Sequence, residues 1–182
     1  KVKKLDYILL THIHIDHAGG TGALVKEYPT AQVICHPQGV KHLIAPEQLW
    51  RGSQKVLGDL AELYGEILPV PETNIVSSDQ LNNDRLKAFQ TPGHAIHHCC
   101  YLLDDLLFGG EVAGVHSEVK DGIYLRPATP PRFILEVALD SLQRMIDAGI
   151  KTKTGMSLTL DTCCQRCMIV SRYHRPNGRV KG

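Results

Sequence analysis

The stretch Thr11-His12-Ile13-His14-Ile15-Asp16-His17-Ala18-Gly19-Gly20 constrains this chain more than any other. Four side chains of the kind that bind metals, His12, His14, Asp16 and His17, fall within six positions. They follow directly on Leu5 to Leu10, a short and mostly apolar run that reads as a buried strand. Imidazole nitrogens suit zinc and related divalent ions, and a carboxylate adds compensating charge. In extended chain His12 and His14 point the same way, because side chains alternate along a strand. A turn at Ile15 would carry Asp16 and His17 to a neighbouring position. One loop could then serve two cations about 3.5–4 Å apart, the usual spacing of a two-metal site.

Two further pieces fit beside it. Thr91-Pro92-Gly93-His94-Ala95-Ile96-His97-His98 lies between two strand-like runs, Leu86 to Gln90 and Cys99 to Leu103. Pro92-Gly93 marks a turn, which puts His94 at its tip and within reach of a metal. His97 and His98 are weaker candidates, since alternation sends one inward and one outward; either could support the ligands from behind. The third piece is Leu106-Leu107-Phe108-Gly109-Gly110-Glu111, an apolar strand ending in two glycines and a carboxylate that could bridge two cations.

The rest of the pattern is an α/β layered domain, with strands alternating with helices. A strand is expected at Gln32 to His36 and a hairpin turn at Asp104-Asp105. Helices are expected at Ala23 to Tyr28, from Ser53 through Tyr64, and from about Arg132 to Ala148. The second should bury Val56, Leu57, Leu60, Leu63 and Tyr64, and the third Leu135, Leu139, Leu142 and Ile146. Small residues at Ala18, Gly19 and Gly20 should let the following helix approach closely. No apolar run nears the roughly 20 residues of a membrane span. The six cysteines form no disulfide framework, which fits reduced thiols in the cytoplasm. Residues 1–149 carry 13 Lys/Arg against 18 Asp/Glu, whereas 150–182 carry seven against one. The acidic body argues against a nucleic-acid partner. The basic stretch 154–182 reads as a tail, disordered or out of frame, behind a domain at 1–153. The Cys164–Cys167 pair has no second knuckle in register, and His174 stands as an alternative ligand.

The three site pieces, in this order, resemble the metallo-β-lactamase-fold metallohydrolases, on the glyoxalase II and lactonase side of that superfamily. The signature T-H-x-H-x-D-H-A-G-G carries the resemblance, which covers about residues 5–150. It implies an αββα sandwich with metals at one edge between the sheets. By position, His12, His14 and His94 would hold one metal and Asp16 and His17 a second. Glu111 stands where most of the family has a bridging aspartate. Flavodiiron oxidoreductases share the fold but carry glutamate in place of His14, which favours hydrolysis. The resemblance implies one or two Zn2+, with Fe or Mn also suited. A metal-bound hydroxide would attack an ester, thioester, lactone or amide of a small substrate, with Asp16 orienting it. It also implies strands before the motif, so the sandwich is expected to be incomplete, with an open sheet edge that invites a homodimer. A final histidine ligand is expected after the last helix, and residues 149–156 contain none. The alternatives are a crippled fragment of such an enzyme and a nuclease or phosphodiesterase on the same fold.

Overall fold

The computed structural model describes residues 3–104, 106–120, 122–147 and 168–170. The chain runs β1 (Tyr7–Leu9), α1 (Ile15–Ala18), α2 (Thr21–Glu27), β2 (Gln32–Cys35), α3 (Pro37–Ile44), α4 (Glu47–Leu57) and α5 (Asp59–Tyr64). It continues through β3 (Ile75–Ser77), β4 (Leu86–Gln90), β5 (Cys99–Leu103), β6 (Leu106–Phe108), β7 (Val115–Val119), β8 (Gly122–Arg126), α6 (Leu135–Asp147) and β9 (Met168–Val170). One sheet has the order β3-β2-β1-β9 and a second has β4-β5-β6, while β7 and β8 form a separate hairpin.

Strand alternation builds the layers. On one face of the first sheet, Ile8, Leu10, Val33 and Cys35 pack with Ala18, Val25 and Leu43 from the helices. On the other face, Leu9 and Ile34 pack with Leu86, Cys99 and Tyr101 of the second sheet. The far side of that second sheet turns Cys100 and Leu107 toward Met145 of α6. Helices, sheet, sheet, helix: this is the αββα order that the resemblance implies. Tyr101 crosses the seam between the sheets. It is fully buried, and its hydroxyl donates to the carbonyl oxygens of Leu10 (2.8 Å) and Ile34 (3.1 Å).

Several expectations need correction. The helix read from Ser53 to Tyr64 is two helices, broken at Gly58, whose φ of 55° no helical residue adopts. Its apolar face is not buried: Val56, Leu60 and Leu63 are 67%, 48% and 83% exposed. The last helix starts at Leu135 rather than Arg132, and Leu135, Leu139 and Ile146 of its apolar stripe are also exposed, with Leu142 partly buried. It docks instead through small side chains. Ser141 donates to the Pro92 carbonyl at 2.6 Å, and a Cβ on Gly93 would lie 2.6 Å from the Ala138 Cβ. Close approach outranks hydrophobic periodicity here. Among the early glycines Gly22 permits contact, since a Cβ there would overlap the Leu68 carbonyl, whereas Gly20 faces open space.

β1 is paired antiparallel with β9, which comes from within the basic stretch. The rest of that stretch, including His174 and the Cys164–Cys167 pair, lies outside the described residues. Among the described residues no helix is long and apolar enough to cross a membrane. Cys35, Cys99 and Cys100 are buried and free, and burial pushes the thiols of Cys35 and Cys100 up to about 12.

The Tyr101 hydroxyl is a buried donor holding two layers together, so Tyr101→Phe keeps the shape and removes only the bond. Its expected cost is about 1–3 kcal/mol in urea unfolding. A cost near zero would show that the seam does not depend on it.

Candidate metal centre

β1 delivers the first loop. After Leu9 the chain keeps one more sheet bond, Leu10 N–H to the Ile34 carbonyl (2.9 Å), then leaves the sheet. The Thr11 carbonyl accepts from Cys99 N–H at 2.6 Å, which fixes this loop to β5. Ile13 turns into the core against Gly39 of α3, where any Cβ would come within 2.9 Å of it. With Ile13 anchored, His12 and His14 face the other way. The chain then turns into α1, with both His17 and Ala18 N–H bonded to the His14 carbonyl. That turn carries the His17 ring to 4.0 Å from the His12 ring, centre to centre. His94 arrives from the loop between β4 and β5, and its ring lies 4.7 Å from that of His12.

Two sets of donor atoms result. One is His12, His14 and His94; the other is His12, His17 and Glu111; within each set the donor atoms lie within 4.8 Å of one another. Glu111 Oε2 touches both sets, 2.9 Å from His94 Nε2, 3.4 Å from His12 Nε2 and 3.7 Å from His17 Nε2. Five of the six expected residues therefore converge. Asp16 does not join either set. Its carboxylate is about half exposed and lies 3.5 Å from His17 Nε2, at the edge of the cluster.

The chemistry of the inward atoms fits a cation. His94 Nδ1 lies 3.0 Å from the Ala128 carbonyl, which can only accept, so Nδ1 carries a proton and Nε2 is the nitrogen that faces the centre. Nε2 lies 2.9 Å from a Glu111 carboxylate oxygen, an arrangement completed by positive charge between the two atoms, either a proton on Nε2 or a cation in its place. His12 Nε2 is buried without a hydrogen-bond partner, and Glu111 Oε2, buried 3.4 Å from it, is met by the His94 ring at 2.9 Å. An unpartnered buried polar atom costs about 1–3 kcal/mol, and a cation between this imidazole and this carboxylate would complete both. Burial, then the neighbouring imidazoles, pulls His12 well below its ordinary pKa. Burial and His94 bring His14 to about 4. Neutral imidazole is the form that binds metal. For His94 burial pulls downward, but the Glu111 carboxylate outweighs it and the pKa rises. Glu111 is correspondingly lowered: burial pushes it up, and His94 more than reverses that. The centre favours positive charge and supplies the lone pairs to bind it.

A ring of hydrogen bonds holds Glu111 from behind. Its backbone N–H donates to His98 Nε2 at 3.2 Å, so His98 Nδ1 carries the ring proton and donates to Thr91 Oγ1 at 2.8 Å. The Thr91 hydroxyl meets Cys100 Sγ at 3.3 Å, and Cys100 donates to the Gly109 carbonyl at 3.3 Å. The circuit closes on both sides of Gly110, whose φ of 51° and close approach to His98 and Thr11 exclude a side chain. His98 is fully buried, and burial lowers its pKa to about 3. His97, half-buried, accepts the Ile13 N–H at 3.4 Å. Both support the ligands rather than joining the two sets. Thr91 and Cys100 give no sign of this role in the sequence, because each looks like an ordinary strand residue. Only the pairing of β4 with β5 brings them together.

The family model of the metallo-beta-lactamase superfamily matches residues 1–153. The chain belongs to that superfamily. The metallo-beta-lactamase fold-containing protein ST1585 of Sulfurisphaera tokodaii is 36% identical over 153 residues, covering 79% of this chain and 57% of its own length. A crystal structure of ST1585, described as an archaeal superfamily protein from Sulfolobus tokodaii, superposes with a TM-score of 0.69. It is 35% identical and covers 81% of this chain and 59% of that one. A hydroxyacylglutathione hydrolase of Photobacterium profundum is 33% identical over 59% of this chain and 32% of its own length. The chain thus spans little more than half of ST1585 and about a third of that hydrolase.

His12→Ala removes the atom common to both donor sets, and is expected to abolish stoichiometric zinc binding in elemental analysis of dialysed protein. Zinc retained at the wild-type ratio would contradict the assignment. Thr91→Val opens the hydrogen-bond ring while leaving every donor in place. It is expected to weaken zinc affinity about 10–100-fold, the usual effect of losing an outer-shell partner, in competition with a chromophoric chelator. An unchanged affinity would show that the ring does not position Glu111.

Proposed function

We propose that this chain is the metal-binding portion of a hydrolase that cleaves an ester, thioester, lactone or amide of a small substrate. One observation carries the reading: His12 Nε2, buried without a hydrogen-bond partner, faces Glu111 Oε2 at 3.4 Å beside a cavity of about 530 Å³ lined by His14, Asp16 and His94. Such a volume suits a small organic molecule. A divalent cation, when bound, supplies Lewis acidity that makes water acidic enough to lose a proton near neutral pH and that polarises a carbonyl.

The chain's own residues divide the remaining work. His12, His14 and His94 would hold the cation through ring nitrogens free of protons. His17 and Glu111 would complete a second set that shares His12. Glu111 places negative charge between the two sets. Asp16 is half exposed at the edge of the cavity, and this suits it to orient an incoming water and accept its proton. The described thiols take no part as nucleophiles, since burial holds those of Cys35 and Cys100 at about 12, where thiolate is scarce at neutral pH. Zinc is the ion proposed, and iron or manganese would suit the same donors. The buried unpaired thiols fit a reducing compartment such as the cytoplasm.

A second reading, a fragment that holds one cation and turns nothing over, is favoured by Asp16 standing outside both donor sets. Zinc-loaded protein separates the two. Hydrolysis of 4-nitrophenyl and thioester substrates is expected, lost on chelation with EDTA and restored by zinc. Glu111→Gln is expected to lower kcat by about 100-fold or more, the scale of losing a principal electrostatic group. Turnover undiminished by EDTA would exclude the metal-dependent reading. One bound zinc without turnover would establish the second.

A further inference from the structure

We propose that the cavity beside His14 and His94 binds the acyl part of the substrate, and that this acyl group is apolar and uncharged. The inference rests on the hydrolase reading above and narrows its substrate class.

The cavity runs from the metal centre along α4. Its walls include Ile13, Leu49, Val56, Leu57, Ile96 and Pro130. Of all its lining residues only Asp16 and Arg132 carry a permanent charge, and Asp16 belongs to the edge of the metal centre. Arg132 is thus the one fixed cation among the residues that line the cavity. A glutathione thioester has two carboxylates and an ammonium group, so this cavity leaves at least one carboxylate without a cation. An acyl chain asks for nothing of that kind.

A second observation agrees. Val56 and Ile96 are 67% and 58% exposed. They lie on different elements, one on α4 and one in the loop of His94, yet they line the same cavity. Exposed apolar side chains converging on one concavity mark a surface that a ligand covers. This also accounts for part of the apolar face of α4 that the core leaves unburied. A chain lying between these walls would keep its carbonyl beside His14 and His94. Each methylene removed from water there strengthens binding about fourfold.

The test uses the full chain, zinc-loaded, with 4-nitrophenyl acetate, 4-nitrophenyl octanoate and S-lactoylglutathione. The octanoate is expected to show at least tenfold higher kcat/KM than the acetate, and S-lactoylglutathione to be the poorest of the three. Ile96→Glu places a charge in the wall without touching the core, and is expected to lower the octanoate-to-acetate ratio at least tenfold. Leu63→Glu is the control for an equally exposed apolar residue outside the cavity, and is expected to leave that ratio unchanged. A wild-type ratio near one, a ratio unmoved by Ile96→Glu, or S-lactoylglutathione as the best substrate would overturn the proposal. Calorimetric titration of metal-free protein with 2-decanone, which has no bond to hydrolyse, keeps the two readings apart. If no ester is turned over, the hydrolase reading fails. Binding of 2-decanone that is lost in Ile96→Glu would then still support the cavity assignment, and no binding to the wild type would overturn it.

Discussion

A buried imidazole facing a buried carboxylate, with His12 Nε2 and Glu111 Oε2 3.4 Å apart, is the constraint on which this centre depends. His94 Nε2 meets the same Glu111 oxygen at 2.9 Å. A buried carboxylate is kept in a protein interior only with positive charge beside it. The fold supplies the rigidity that keeps these groups there. Leu10 and Cys99 tie the first loop to both sheets, Ile13 locks into α3, and the Tyr101 hydroxyl spans the seam directly beneath.

The outer circuit of Glu111, His98, Thr91, Cys100 and Gly109 fixes the backbone on either side of Gly110, from which the Glu111 side chain extends. From that anchored backbone Oε2 lies near the histidines of both donor sets. The turn carrying His94 is clamped from its far side by α6 through the Pro92–Ser141 and Gly93–Ala138 contacts.

Much of this was legible in the residues, for a physical reason. Metal chemistry needs several identical donor types close together, and the density of His12, His14, Asp16 and His17 after an apolar strand has few other uses. The strands β4, β5 and β6 could be read to the residue, because apolar runs bounded by turns mark both ends. What failed was inference from helical periodicity. On α6 Leu135, Leu139 and Ile146 are exposed and the helix docks through Ala138, Ser141 and Met145. Backbone approach at Gly93 is a three-dimensional fact that no local pattern reports. On α4 the apolar face is partly committed to a cavity, and a cavity wall has the same sequence pattern as a core. The position of Asp16 at the edge of the cluster is a different matter. Spacing shows that a carboxylate lies near the histidines but not how far the turn of α1 directs it toward them. β9 escaped notice because its three residues sit in a basic stretch with no alternation of its own.

Anomalous scattering at the zinc edge, from a crystal of the zinc-loaded chain, tests the central claim most directly. A peak about 2.0–2.1 Å from nitrogens of His12, His14 and His94 is the expected result, this being the usual zinc–imidazole distance. A peak bound elsewhere, or His12 Nε2 satisfied by a protein donor with no ion near it, would contradict the account.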